Sequence, residues 1–75
     1  MMIEVDVRGF VCPIPVLRTK QAMEKNEGDE IRVVVDSAAA KENVSRLASS
    51  KSYSIKLEEE EGDYYLILSP SVKQL

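Results

Sequence analysis

Two short runs of alternating apolar residues, Ile3-Val5-Val7 and Ile31-Val33-Val35, most constrain what this chain can become. Each run has the period of a half-buried strand. Between them, Pro15, Val16, Thr19, Ala22 and Met23 recur at helical spacing, with Arg18, Lys20, Gln21, Glu24 and Lys25 on the other side. The spacing predicts a helix from about Ile14 to Lys25. Gly9 breaks the first strand and Gly28 turns the chain into the second.

The pattern then repeats. Asp36-Ser37 ends the second strand, Ser37 is placed to cap a helix from Ala38 to Ser50, and Ala40, Val44, Leu47 and Ala48 share one face of it. Tyr53, Ile55 and Leu57 predict a third strand. Glu61-Gly62-Asp63 signals a hairpin, and Tyr64 to Leu68 returns as the fourth strand. The acidic run Glu58 to Glu61 is expected to be a solvated strand end and turn.

The order is therefore β-α-β-α-β-β. Right-handed crossovers put both helices on one face of a mixed four-stranded sheet. The expected fold is an α/β (α+β) two-layer sandwich, with polar alternation or a partner covering the other sheet face. With 75 residues the chain is expected to form a single domain over 1–75, its ordered core spanning about 3–69 and 70–75 forming a tail. At this size folding buries only about 60% of the unfolded surface, so stability rests on few contacts.

Composition excludes several functions. Net charge is −3, and no two basic residues are adjacent, which argues against nucleic acid as the main partner. No apolar stretch approaches the length needed to cross a membrane, and the cytoplasm is the expected compartment. One cysteine and no histidine leave no internal disulfide and no ordinary zinc site. No metal and no cofactor is expected.

That cysteine, Cys12, stands in "RGFVCPIP" at the junction of first strand and first helix. A helix N-terminus favours an anion, and it lowers the pKa of a thiol. Arg8, four residues upstream, is placed to add to this effect. Pro13 and Pro15 fix φ, remove two N–H donors and bias Cys12 and Ile14, which precede them, away from helical geometry. The lack of a basic imidazole counts against a hydrolase, which must move protons, but not against a thiol that only passes a group along. A second reading stands beside it: free cysteines are often inert core filler.

The segment "VDVRGFVCPIPVLRTKQAM" followed by "EGDEIRVVVDS" resembles the TusA/SirA-like family of small sulfur carriers. The resemblance lies in Cys12-Pro13-x-Pro15 preceded by Asp6-x-x-Gly9, and it covers residues 3 to about 69. The helix "AAAKENVSRLASS" is more similar to the TusA-like domain of YedF-type proteins, which are associated with selenium metabolism. The resemblance implies that Cys12 carries sulfane sulfur as a persulfide. A cysteine desulfurase or rhodanese-like donor would supply it, and an acceptor protein, a DsrE-like one among the candidates, would receive it. Pro13, Pro15, Arg8, Gly9 and Asp6, with Arg18, would position the thiol or tune its charge. The alternative is a non-catalytic binding or regulatory domain in which Cys12 is unreactive. Two departures, Ser37-Ala38-Ala39 in place of an acidic Asp-Pro segment and Ser52 in place of a glycine, bear on partner choice.

Overall fold

A computed structural model describes residues 2–11, 13–26 and 28–70 of the chain. Its elements run β1 (Met2–Asp6), α1 (Ile14–Lys25), β2 (Glu30–Val35), α2 (Ala38–Ser50), β3 (Tyr53–Glu60) and β4 (Asp63–Pro70). Both helices span the residues that their periodicity predicts. The sheet order is β1-β2-β4-β3. β1 and β2 are parallel, with Ile3 beside Ile31 and Val5 beside Val33. β4 runs antiparallel to both β2 and β3. The expected two-layer mixed sandwich is what forms.

α1 buries Pro15, Thr19 and Met23, and α2 buries Ala40, Val44 and Ala48. Both sets repeat every fourth residue, so each helix lays one stripe on the sheet. The stripes meet Val7, Ile31, Val33, Val35, Leu66 and Leu68 in one apolar cluster. Thr19 is fully buried, yet its Oγ donates to the Pro15 carbonyl at 2.8 Å. That bond removes the cost of burying a hydroxyl. Val34 is buried on the opposite sheet face. On that face the Arg32 guanidinium lies 4.8 Å from the Tyr65 ring centroid and pairs with Glu4 at 3.3 Å. Polar side chains thus form much of the surface of the helix-free face. No described helix is long and apolar enough to cross a membrane.

Two boundaries differ from expectation. The hairpin loop is Glu61-Gly62 alone, both at positive φ (52° and 84°), and Asp63 already pairs with Glu60 in β4. Two-residue loops with two positive φ values match the twist of the strands they join. β4 also runs on past Leu68 to Pro70, opposite Tyr53, so Pro70 belongs to the sheet and not to a tail. As a strand-end residue, proline loses little by donating no ladder bond. Residues 71–75 lie outside the described residues. Ile14 is the first residue of α1, as the spacing predicts, even though the bias that Pro15 places on the residue before it runs against helical geometry. A proline in the first turn lacks an N–H that has no helical acceptor anyway, so the helix tolerates it there.

Ser37 caps α2 as expected. Its backbone is extended, and its Oγ accepts from the Ala40 N–H at 3.1 Å. Ser37→Ala should therefore lower stability by about 0.5–2 kcal/mol, read as a lower urea midpoint with an unchanged slope. An unchanged midpoint would mean that the cap contributes nothing here.

Candidate thiol site

Because β1 and β2 are parallel and adjacent, their C-terminal ends share one end of the sheet. Each strand feeds a helix there, so the N-termini of α1 and α2 face the same end. Neither helix has an acidic residue in its first turn, leaving two positive dipole ends uncompensated from within.

The β1–α1 connection is tied down at several points. Val7 extends the pairing beyond β1 by donating to the Val34 carbonyl at 3.0 Å. The chain then turns, with the Phe10 N–H bonded to the Val7 carbonyl at 3.3 Å. Gly9, third in that turn, has φ 85°, and a Cβ built there would meet nothing within 4 Å. Its constraint is thus conformational, the left-handed backbone that glycine adopts without penalty. The Gly9 N–H donates to Asp36 Oδ2 at 2.9 Å, joining the connection to the end of β2. Downstream, the Ile14 N–H donates to the Val11 carbonyl at 3.0 Å and the Leu17 N–H to the Pro13 carbonyl at 3.0 Å.

Cys12 itself lies outside the described residues. Its neighbours on both sides are exposed: Val11 is 77% accessible, and Pro13 is the N-cap of α1. Pro13 supplies no side-chain cap, in contrast to Ser37 on α2. Pro15 has its ring fully buried beneath the first turn. The two prolines thus sit differently, one at the surface and one in the core.

Arg8 and Asp6 are brought together. Arg8 Nε and Nη2 donate to the two Asp6 oxygens at 3.0 and 2.8 Å, and its backbone N–H adds a third bond at 3.2 Å. Nη1 reaches Asp63 at 3.0 Å, across to the start of β4. The hydrogen bonds from Arg8 hold the Asp6 carboxyl below its ordinary range. Bonds to Asp6 and then Asp63 raise the guanidinium pKa still higher. The Arg8 charge is thus matched locally by two carboxylates. Arg18, on α1, lies with its guanidinium 5.3 Å from the Phe10 ring centroid, linking helix to connection.

Two clefts border the segment. One, of about 360 Å³, is lined by Gly9, Phe10, Val11, Asp36, Ser37, Ala39 and Ala40. The other, of about 420 Å³, runs between the helices past Pro13, Val16, Asn43, Arg46, Leu47 and Ser50. Phe10, Val11 and Leu17 are exposed large apolar side chains around this end of the molecule. Asp36, Asp63 and Phe10 are site residues that sequence reasoning missed. For Asp36 one signal was available, an acidic residue at the C-terminal end of a parallel strand, where open α/β sheets place their sites.

Comparison with known proteins converges on one family. The family model for sulfurtransferase TusA matches residues 3–69. A protein of Methanocaldococcus jannaschii described as a "putative sulfur carrier protein" is 48% identical over 60 residues, covering 79% of this chain and 80% of that one. A Bacillus subtilis protein of the same description, YrkI, is 32% identical over 59 residues, covering 77% and 79%. The crystal structure of a SirA-like protein from Desulfitobacterium hafniense superposes with a TM-score of 0.83 at 29% identity, covering 92% of this chain and 96% of that one.

Proposed function

Since the chain belongs to the TusA sulfurtransferase family, we propose that it is a sulfur-relay carrier which holds sulfane sulfur as a persulfide on Cys12. The observation that carries this reading is the family match over residues 3–69, a span that contains the chain's only thiol.

The chemistry asks little of the protein. The Cys12 thiolate attacks the outer sulfur of a donor persulfide, and the bond between that sulfur and the donor sulfur breaks. Cys12 becomes a persulfide, and the donor leaves as a thiolate. An acceptor thiolate then repeats the exchange on the carrier. Electrons and protons balance without an external oxidant, and no imidazole base is needed. What the step does need is a thiolate and an approachable sulfur.

The α1 N-terminus favours the anionic forms. Pro13 and Pro15 shape the helix entrance, Gly9 makes the turn, and the Asp6–Arg8–Asp63 bridge braces its base. Arg18 holds Phe10. The donor is a cysteine desulfurase or rhodanese-like protein and the receiver an acceptor protein, with the exchange taking place in the cytoplasm.

The test is intact mass after incubation with a cysteine desulfurase and cysteine. One added sulfur that thiol reductant removes supports the reading, and its absence overturns it. A second expected result concerns reactivity. The pH midpoint for iodoacetamide alkylation should fall below the free-thiol value of about 8.5. A midpoint at or above that of a model thiol would remove the helix-terminus argument.

A further inference from the structure

At the end of β2 two adjacent polar residues do different work. Ser37 turns back onto its own helix and caps it through Ala40. Asp36 reaches the neighbouring connection instead, where Oδ2 accepts from the Gly9 N–H at 2.9 Å, a contact spanning 27 positions of the chain. A carboxylate accepting from a backbone N–H makes a charge-assisted bond, stronger than one between neutral partners. The bond acts at the residue whose left-handed backbone sets the direction of the chain three positions before Cys12. Asp36 also lines the cleft of about 360 Å³ beside Val11, and it is the one charged residue among the described residues lining it.

We propose that Asp36 is a positioning residue for sulfur transfer: by holding Gly9 it fixes the path of the thiol-bearing connection relative to the sheet. The proposal rests on the carrier reading of Cys12. Attack on a partner's sulfur requires an aligned approach, and a misplacement of about 1 Å costs on the order of a hundredfold in rate. A small alkylating reagent makes no such demand. Asp36 is exposed and Ser37 supplies the α2 cap, so replacing Asp36 leaves both helix and core in place.

Asp36→Ala and Asp36→Asn separate this role from a structural one. The asparagine variant keeps an oxygen acceptor for Gly9, whereas alanine has none. With a cysteine desulfurase and cysteine as donor, the loading rate of the alanine variant should fall roughly tenfold or more, and asparagine should restore most of it. Iodoacetamide should alkylate all three proteins at similar rates. Gly9 amide exchange, followed by NMR, should be faster in Asp36→Ala than in wild type or Asp36→Asn. Equal loading by wild type and Asp36→Ala would overturn the proposal, as would equal losses in loading and alkylation. Unchanged Gly9 exchange would show that the anchor does not operate in solution. Were wild type itself to take up no sulfur, the carrier reading would fall and this proposal with it, whereas Gly9 exchange reports on the anchor alone.

Discussion

Cys12→Ser should reduce sulfur loading to background while the protein stays folded. A serine hydroxyl is not ionised near neutral pH and forms no persulfide, so nothing else in the chain can take over: Cys12 is its only cysteine. Serine differs from cysteine by a single atom, and the substitution alters none of the contacts of the described apolar core. Circular dichroism and the thermal midpoint should therefore match wild type. Intact mass after incubation with desulfurase and cysteine gives the result directly. Sulfur persisting on the serine variant would place the cargo elsewhere and end the carrier reading. A variant that unfolds would instead point to the core-filler role for this thiol.

The largest stability effect is expected at Leu66. It is fully buried in β4, between Val33 of β2 and Leu57 of β3, and it belongs to the cluster that joins both layers. Leu66→Ala should cost about 2–5 kcal/mol, from lost transfer energy plus the cavity left behind. Native domains hold only about 5–15 kcal/mol in all, and one this small has less surface to bury. The variant should be largely unfolded or melt far below wild type. Leu66→Met, which keeps volume, should cost less than about 1.5 kcal/mol. Leu57→Ala offers a control on the neighbouring strand, because Leu57 is 47% exposed. Urea midpoints for the three variants test the ordering. Equal losses at Leu66 and Leu57 would mean that burial on β4 does not govern stability.

The site was only partly legible. The prolines, Gly9 and the lone cysteine stand out because each restricts the backbone or the chemistry by itself. By its sequence position Arg8 stands as a helper for the thiol, whereas its side chain pairs with Asp6 and Asp63, and local order points to only one of these. Asp6 is two residues away, but Asp63 is 55 positions distant and arrives through β4. Asp36 likewise reaches Gly9 only because β1 and β2 lie side by side.

Element type and most boundaries follow from local rules that the amino-acid order already contains. Side chains alternate in Ile31-Val33-Val35 and recur every fourth residue in Ala40-Val44-Ala48, while Ser37 and Gly62 punctuate the chain through their own backbone preferences. The order β1-β2-β4-β3 is of another kind. Nothing local requires β4 to insert beside β2, with β3 left on the edge; pairing and core closure over long separations decide it. That choice also explains β3. Ile55 and Leu57 carry the apolar alternation of a half-buried strand, yet remain 37% and 47% exposed, because β3 lies at the edge of the sheet and the two helices leave that flank partly uncovered. Periodicity reports which face a side chain occupies, whereas only tertiary packing determines whether anything covers that face.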